Sequence, residues 1–585
     1  MDTLQQRRLC ALKLLPGGAL AVLALGSSPA LAQAPGATNP GVQLRQELRE
    51  MAPATPSYDS GTPQEDPLDP PPDRPAAAPK AQKTLFFKAI RFQSNTVIPE
   101  AELVQPFLPL IGEDVTFEQL QQAAIESEAI YKKRGYITTR VLVPPQDFNS
   151  GNIVIKAIEG HLQDVEVRGA TPGLQAYVKK MLQPVLNPET KQVFNYKKLQ
   201  RQLLLIRNFG GVVFNTTLSK GTELGGSFLV VDLSLDSFKG GVGTNNNISS
   251  SLGDWQISAD TQYIAPMSQP IKIRVGGSYA FPYSDGMLSG FASIASPIGN
   301  EGFQADAFWA GSSTESKDLF DGPGDLQTLG DSNYWSFGLS YPLILERNSQ
   351  LTFALRGTGQ NSSNDLYVDG VNTSNLSTDK LRAMRFIVDG YYASPDSTNA
   401  LSFQLSQGLG GLDDDLDSDE FLSNPEADSS FTSARLNLSR TQRLFDFGTL
   451  FTVKGVAQLS STPLPSPEAF TYGGSQYGRA FNSVHLLGDE GWAASSELAQ
   501  PINFQVFNKP ATITPFVWYD YGYTNYKEGP LDDQTASTYG IGLRGNGLYN
   551  ISYELGWGIP SKNTLDSSQT GPDHSIVYFN AGWRF

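Results

Sequence analysis

The chain has 585 residues, of which 17% are charged, 39% hydrophobic and 11% aromatic, and 56 are glycine. This low charge with abundant glycine differs from an average soluble protein. The net charge of −16 opposes contact with nucleic-acid phosphates, so we expect no nucleic-acid partner. Three histidines and one cysteine are scattered along the chain, which excludes a fold built around zinc sites or disulfide bonds. We expect no metal and no cofactor.

Residues 1–32 have the pattern of an export signal. Arg7 and Arg8 precede an apolar stretch, and Ala30-Leu31-Ala32 provides an A-x-A cleavage site. The apolar stretch is about a dozen residues long, which is too short to span a bilayer. We therefore predict a cleaved signal peptide, with an uncleaved signal anchor as the alternative.

Residues 33–52 are predicted to contain one short helix. Asn39 suits its N-cap and Pro40 its first helical position. Its apolar stripe consists of Leu44, Leu48 and Met51. Residues 53–83 follow as a proline-rich, solvated linker. A helix on such a tether can dock and leave again, and a disordered exported tail is the alternative.

Residues 84–160 and 161–234 are predicted to be two small α/β modules with a similar order of elements. In the first, Thr116-Phe117-Glu118-Gln119 is a capping box that opens a helix extending to Lys133. Its strands are expected over residues 86–92, 136–143 and 152–158. The second module is expected to have helices over 174–186 and 196–208, and strands over 162–168, 212–218 and 228–233.

From residue 235 to residue 585, alternation with period 2 replaces the helical period. Leu401, Phe403 and Leu405 alternate with polar residues, so each predicted strand has one apolar and one polar side. A soluble sandwich also has this pattern. A transmembrane barrel is favoured because the segments between strands are either short turns (394–397) or long polar loops (311–333 and 357–380). The region has room for about 16 strands.

The end of the chain also favours closure of this predicted barrel. The last residue, Phe585, lies in an alternating strand with Val577, Phe579, Ala581 and Trp583 on its own side. A strand that ends the chain in this way has its last edge paired, as closure requires. No segment contains the run of about 18 apolar residues that a membrane-spanning helix needs.

Three motifs resemble those of a known family. Gly135-Tyr136-Ile137-Thr138-Thr139-Arg140, followed by Pro144-Pro145-Gln146-Asp147, is similar to the first-POTRA signature of the hemolysin-activator type of two-partner secretion transporter. Gly478-Arg479-Ala480-Phe481 resembles the sixth-loop motif of that family, usually written V-R-G-Y/F, from which this chain departs. Trp518-Tyr519-Asp520-Tyr521-Gly522 resembles the strand motif whose aspartate holds the loop arginine. The resemblance covers essentially all of the mature chain.

This resemblance implies a mostly β fold: a C-terminal 16-stranded transmembrane antiparallel β-barrel (235–585), preceded by two periplasmic α/β POTRA domains (84–160 and 161–234). It implies a bacterial outer-membrane transporter that secretes, and can activate, a partner exoprotein such as a haemolysin or adhesin with a β-helix fold. The short helix would plug the pore at rest. We expect a monomer surrounded by outer-membrane lipid.

The resemblance also implies two sets of functional residues. A lock on a loop inside the lumen would consist of Arg479, Phe481, Asp520 and Gly522. A region that captures the secreted polypeptide would consist of Tyr136, Ile137, Arg140, Pro145 and Gln146.

Strand alternation assigns the sides around Asp520 without the family. If Asp520 points into the lumen, Phe516 and Trp518 do so too. Lipid would then contact Val517, Tyr519 and Tyr521. A guanidinium on a loop tip, that of Arg479, can bond Asp520 in a planar, bidentate way. The alternative is that Arg479 is an ordinary solvated loop residue.

Other functions have weaker support in the sequence. The acidic run at 413–420 suggests calcium but lacks the glycine of an EF-hand loop, so a solvated loop is expected. No G-x-S-x-G or H-E-x-x-H pattern occurs, so we expect no enzyme. An insertase for membrane barrels is disfavoured by the presence of only two modules after a proline-rich tether. A diffusion porin would leave the two modules without a role.

Overall fold

The computed structural model describes residues 39–51, 84–186, 191–249, 252–281, 286–316, 326–410, 421–528, 533–564 and 575–585. The predicted signal peptide (1–32), the linker (53–83) and the acidic run (413–420) lie outside these residues. The described residues form a short helix, two α/β domains and a closed barrel. None of the described helices is both long and apolar enough to cross a membrane.

The N-terminal helix α1 (Pro40–Met51) begins where the sequence predicts. Asn39 caps it, because its Oδ1 accepts hydrogen bonds from Gly41 N at 2.9 Å and Val42 N at 3.2 Å. A polar N-cap of this kind satisfies backbone donors that have no partner within the helix.

The first α/β domain packs its sheets against helix α3. Its elements are β1 (Thr84–Phe86), β2 (Ala89–Gln93), α2 (Glu100–Leu103), a 3-10 turn (Gln105–Leu110), β3 (Asp114–Thr116), α3 (Phe117–Lys133), β4 (Arg140–Leu142) and β5 (Asn152–Ile158). The predicted capping box is confirmed: Thr116 and Gln119 each accept from the other's backbone N–H. The domain core includes Phe87, Phe107, Leu120, Tyr131 and Ile155.

Two strand predictions in this domain are wrong. The strand expected over 86–92 is divided, because Phe87 N bonds Glu113 O whereas Lys88 N bonds Gly151 O. β1 therefore pairs with β3, and β2 pairs with β5 in another sheet. The strand expected over 136–143 is reduced to β4, because the chain first makes a turn in which Thr139 N bonds Tyr136 O.

The second α/β domain has one sheet and two helices. Its elements are β6 (His161–Gly169), α4 (Pro172–Leu182), α5 (Tyr196–Asn208), β7 (Val212–Lys220) and β8 (Gly226–Leu235). The sheet order is β6-β8-β7, so β7 lies at an edge. All predicted elements are present, although α4 ends at Leu182 rather than at residue 186.

The remaining strands mostly belong to one closed barrel. They are β9 (Phe238–Asn245), β10 (Trp255–Ala265), β11 (Ile271–Phe281), β12 (Met287–Ile298), β13 (Phe303–Ser316), β14 (Leu326–Leu345), β15 (Ser349–Val368), β16 (Val371–Ala393), β17 (Ser397–Gly408), β18 (Thr432–Leu444), β19 (Thr449–Ser460), β20 (Phe470–Tyr472), β21 (Leu486–Gly488), β22 (Glu490–Ala499), β23 (Ile502–Val506), β24 (Lys509–Asn525), β25 (Gln534–Asn546), β26 (Ile551–Asn563) and β27 (Ile576–Arg584).

The barrel closes by antiparallel pairing of β27 with β9. β20 and β21 form a separate two-stranded sheet. β22 and β23 are two parts of one strand, because both pair with β24, one after the other. Pro501 lies between them and lacks an N–H for the ladder. The predicted count of 16 strands is confirmed.

Apolar side chains face outward around the barrel. Leu355, Ile541 and Val577 are 53%, 55% and 57% exposed, whereas inward neighbours such as Ala354 are buried. The prediction of two long polar loops, at 311–333 and 357–380, is partly wrong. Residues 357–380 are mostly strand, because β15 and β16 stay paired as far as Val368 and Val371. Strands that extend past the bilayer are wetted on both sides, so they lose the alternation that identifies them in sequence.

The second α/β domain is docked onto the end of the barrel where β9 begins. Thr171 Oγ1 donates to Pro266 O at 2.9 Å, Lys272 Nζ donates to Phe209 O at 3.2 Å, and Arg201 Nη2 donates to Pro342 O at 2.7 Å. These contacts reach the turn between β10 and β11 and the nearby ends of β11 and β14. The domain therefore covers one side of this end of the barrel.

Candidate functional site

The connection between β19 and β22 folds into the lumen and is fastened to the wall by Arg479. Arg479 Nη2 donates to Asp520 Oδ1 at 3.0 Å, and Nε donates to Asp520 Oδ2 at 3.1 Å. The backbone N–H of Gly478 also donates to Asp520 Oδ2, at 3.0 Å. Arg479 is 8% exposed and Asp520 is 0% exposed. The guanidinium thus forms the planar, two-point contact that arginine geometry allows.

The side of the strand that carries Asp520 agrees with the alternation in its sequence. Phe516 and Trp518 are buried, and Val517 and Tyr519 are exposed on the outer face. The Arg479 guanidinium lies 4.3 Å from the centre of the Trp518 ring. A cation over an indole face adds attraction in a site that excludes water.

A second carboxylate at this site has no signal in the sequence. Arg479 Nη1 donates to Glu497 Oε2 at 2.7 Å, and Arg544 Nη1 donates to Glu497 Oε1 at 2.9 Å. Arg544 Nε in turn donates to Glu554 at 2.9 Å. These residues occupy inward positions of β22, β25 and β26, but only the register of the closed barrel brings them together.

Gly522 and Phe481 place the loop closely against the wall. A Cβ on Gly522 would lie 2.3 Å from Tyr472 Cδ2, so the loop tyrosine takes the space that a side chain would need. Phe481 is buried, and its ring stacks on His485 with centroids 3.9 Å apart. Both residues therefore shape the packing of the loop rather than bind a ligand.

Gly522→Ala is expected to displace Tyr472 and loosen the loop, and so to lower secretion by about tenfold, because overpacking a filled site costs about 1–3 kcal/mol. Secretion per assembled barrel measures the effect. Gly455→Ala is the matched control, since a Cβ there would meet only Ala493 O at 3.8 Å. Equal secretion by the two variants would contradict the prediction.

Helix α1 lies in the lumen against β13, β14 and β15. Leu44 is buried with Phe291, Ala310 and Tyr334, and Leu48 packs beside them. Gly41 approaches the wall and the loop so closely that a Cβ would lie 2.8 Å from both Pro467 Cγ and Ser362 Oγ. The apolar stripe predicted for Leu44 and Leu48 is therefore the face that meets the barrel wall.

One loop carboxylate joins α1 to the wall. Glu468 Oε1 accepts from Arg45 of α1 and also from Arg385 of β16. Arg385 Nη1 donates to the other oxygen, Oε2, at 3.0 Å. Glu468 is 6% exposed and Arg385 is 3% exposed. The sequence gives no signal for this three-residue contact, because its members come from three distant segments.

The polar face of α1 contacts the loop a second time. Arg49 Nη1 donates to Thr471 Oγ1 at 3.2 Å, and Thr471 Oγ1 donates to Gln46 Oε1 at 3.0 Å. On another side, Glu47 accepts from Gln256 Nε2 at 3.2 Å and from Ser278. The helix is thus held by both the loop and the wall.

Comparisons with known proteins identify this arrangement. The model of the family described as haemolysin secretion/activation protein ShlB/FhaC/HecB matches residues 225–545, and that of the ShlB-type POTRA domain matches residues 85–160. The chain belongs to this haemolysin secretion/activation family. It is an outer-membrane transporter of two-partner secretion, which works with a secreted polypeptide, and its POTRA domains lie in the periplasm.

Individual relatives agree in length and fold. The outer membrane transporter CdiB of Dickeya dadantii is 22% identical over 514 residues, covering 85% of this chain and 86% of the relative. The heme/hemopexin transporter protein HuxB of Haemophilus influenzae is 20% identical and covers 74% of each chain. The solved structure of CdiB from Escherichia coli superposes with a TM-score of 0.72 at 21% identity, covering 93% of this chain and 97% of that one. This structural likeness shows the shared fold.

In this transporter, the residues predicted to capture the substrate have different environments. Pro145 is exposed, and Tyr136 is half-buried with its ring edge against Tyr131. Ile137 is only 9% exposed and packs into the core of the second α/β domain, so it lies at the joint between the two domains.

The other two predicted capture residues contact their own domain. Arg140 Nη1 donates to Glu128 Oε1 of α3. The Gln146 amide pairs with both backbone groups of Val154, donating to O at 2.7 Å and accepting from N at 2.8 Å. Gln146 therefore takes the place of a neighbouring strand beside β5. Direct capture by these residues remains a prediction.

Polar contacts hold α3 to the end of β5. Tyr131 Oη donates to Glu159 Oε1 at 3.0 Å, and Thr96 N donates to the same oxygen at 2.7 Å. Burial, together with the neighbouring Glu159 charge, raises the pKa of the Tyr131 phenol. The phenol therefore stays protonated as a donor at periplasmic pH.

Proposed function

We propose that this transporter takes up its partner as an unfolded, extended polypeptide at the POTRA domains and passes it through the barrel lumen after α1 leaves. The partner would be an exoprotein that folds into a β-helix outside the cell, such as a haemolysin or an adhesin. The transporter would work as a monomer, without a cofactor and without enzymatic activity.

An unpaired strand edge supports uptake of an extended chain. β7 pairs with β8 on one side, and no strand among the described residues pairs with its other side. The free edge runs from Val212 to Lys220, and Val213 is 57% exposed on it. An unfolded chain carries unsatisfied backbone groups, so it can add to such an edge by β-augmentation.

The observation that carries the proposal is the tethered helix inside the channel. The sequence of residues 53–83 is rich in proline, and such a tether would let α1 move without unfolding the barrel. With α1 in place, Ser312 Oγ, Ser362 Oγ and Asn364 Oδ1 are buried without a hydrogen-bond partner among the described residues. Once α1 leaves, these groups can bond to water or to the backbone of a passing chain.

Folding of the partner outside would supply the direction of transport. The sequence has no P-loop for nucleotide hydrolysis. Folding on the far side removes the unfolded chain from the equilibrium, so return through the pore becomes unfavourable.

Deletion of residues 84–234, which contain both modules, tests the proposal. We expect loss of secretion while the barrel still assembles, because the uptake surface is gone and the wall is intact. Secretion is measured on the partner exoprotein, which is sought first in the coding sequence next to that of this chain. If the chain were a diffusion porin, the deletion would leave solute flux unchanged and cause no loss of secretion. If it were an insertase, the deletion would lower the amounts of other outer-membrane barrels. Either result would contradict the proposal.

A further inference from the structure

The hairpin of β23 and β24 projects from the periplasmic end of the barrel with one edge unpaired. Ile502 to Val506 pair with Ile513 to Lys509 of β24. On the other side, pairing with β19 ends at Ala499, opposite Leu450. Among the described residues, β24 is the one strand whose register with β23 is seen, and the β19 ladder stops before β23 begins. The backbone groups on this second edge of β23 are therefore open to another chain.

Two aromatic residues at the tips of neighbouring periplasmic turns are strained and exposed. Phe507, at the tip of the hairpin, has φ +50° and is 86% exposed. Phe445, in the turn between β18 and β19, has φ +58° and is 67% exposed. Bulky residues rarely adopt positive φ, because their Cβ approaches the backbone. Strain kept at exposed rings, which gain nothing from water, indicates a function for the rings.

The two turns form one surface. Gln500 Nε2 donates to Phe447 O at 3.1 Å, and Thr449 Oγ1 donates to Gln500 Oε1 at 2.6 Å. These bonds hold the turn against the start of β23. Phe447 is 68% exposed and stacks on Phe445 with ring centroids 5.1 Å apart. We name the set Phe445, Phe447, Ile502, Phe504 and Phe507 the periplasmic aromatic rim.

This rim lies away from the POTRA dock. The second α/β domain contacts the β10–β11 turn and the end of β14, whereas the rim belongs to turns between β18 and β24. A polypeptide that leaves the POTRA domains and enters the lumen must pass the periplasmic mouth between the two. The rim is therefore placed to receive it there.

We propose that the periplasmic aromatic rim is a second docking surface for the secreted polypeptide. An extended segment pairs with the free edge of β23, and its apolar side chains lie on the rings of Phe445 and Phe507. A polypeptide fits better than lipid, because lipid chains cannot satisfy the unpaired backbone groups of a strand edge. This inference rests on the proposed function and adds a step to it.

Removal of the strained rings tests the inference in the full chain. Asparagine adopts positive φ readily, so Phe445→Asn/Phe507→Asn removes both rings while it relieves the turns. We expect secretion of the partner exoprotein to fall by about tenfold or more per assembled barrel. Phe421→Asn is the matched control, since this ring is 57% exposed at the opposite end of the barrel. Its secretion should be unchanged.

Cross-linking tests the edge directly. Cys10 is the sole cysteine of the sequence and lies in the predicted signal peptide, so an introduced cysteine is unique in the mature chain. Asn503→Cys and Gln505→Cys should form disulfides with cysteines placed in the exported protein during secretion. Arg440→Cys, on a strand paired on both sides, should form none.

The results of these experiments distinguish the docking surface from the proposed function. Normal secretion by the double variant, or no cross-link from β23, overturns the docking surface. Less assembled barrel with unchanged secretion per barrel also overturns it and assigns the rings to lipid headgroups. If the unaltered chain does not secrete the partner exoprotein, the proposed function itself is wrong. Secretion by the unaltered chain that requires residues 84–234 leaves that function standing even if the rim has no role.

Discussion

Arg479→Ala should abolish secretion of the partner while the barrel still assembles in the outer membrane. The substitution leaves the Asp520 carboxylate, which is 0% exposed, with only two backbone N–H donors, those of residues 478 and 479. Breaking a buried ion pair by removing one partner costs about 3–5 kcal/mol. The loop that Arg479 fastens would therefore leave its position, and the lumen would lose the shape that the loop gives it.

Asp520→Ala should have the same direction of effect but a smaller size. The guanidinium of Arg479 would keep Glu497 at 2.7 Å and Ser495 at 3.1 Å as partners. Secretion per assembled barrel is the measurement for both variants, and heat-modifiable mobility shows whether each barrel has folded.

Arg440→Ala is the control for these two variants. Arg440 is an exposed barrel arginine whose partners are the neutral Asn399 and Gln442, so its loss should leave secretion unchanged. Normal secretion by both Arg479→Ala and Asp520→Ala would refute the loop lock. Loss of assembled barrel in either variant would show instead that the pair is needed for folding.

Glu468→Gln should open the channel by releasing α1. Arg45 and Arg385 share one oxygen of Glu468, so without the carboxylate two guanidinium groups face each other in a buried site. Arg385 belongs to the wall and cannot leave, whereas Arg45 is on the tethered helix. An unpaired buried charge costs about 3–5 kcal/mol, which predicts a rise in open probability of about a hundredfold or more. Single-channel recordings in planar bilayers measure this open probability.

Glu47→Gln is the matched control for this prediction. Glu47 is a carboxylate on the same helix, but its described partners are the neutral Gln256 and Ser278, to which an amide can also bond. The open probability of this variant should remain close to that of the unaltered chain. If Glu468→Gln stays closed while deletion of residues 40–51 opens the channel, the apolar packing of Leu44 and Leu48 holds the helix, and the charge contact does not.

Local patterns in the sequence predict several elements well. The capping box at Thr116, the N-cap at Asn39 and the limits of α5 all follow from interactions within one turn of helix, so neighbouring residues are sufficient to indicate them. Alternation predicts which residues around Asp520 face lipid, because a strand reverses side at every residue. The motif around Arg479 predicts its partner only through the resemblance to a family.

Local sequence patterns do not predict features that depend on contacts between distant residues. The strand expected over 86–92 divides because two sheets compete for its backbone, and the segment 357–380 stays paired although its alternation fades. Ile137 lies in a capture motif by sequence but is buried between the domains. In each case a partner far along the chain decides the outcome.

Local patterns along the chain are enough to indicate the class of the molecule: alternating strands after two α/β modules and a tethered helix. Period and composition are local properties, and they survive without knowledge of the fold. Long-range contacts in the folded barrel establish the rest: Glu468 joins Arg45 to Arg385, and Glu497 lies between Arg479 and Arg544. They also leave β23 with a free edge among the described residues. The register of a closed barrel sets these neighbours, because each strand's position depends on all the others around the ring.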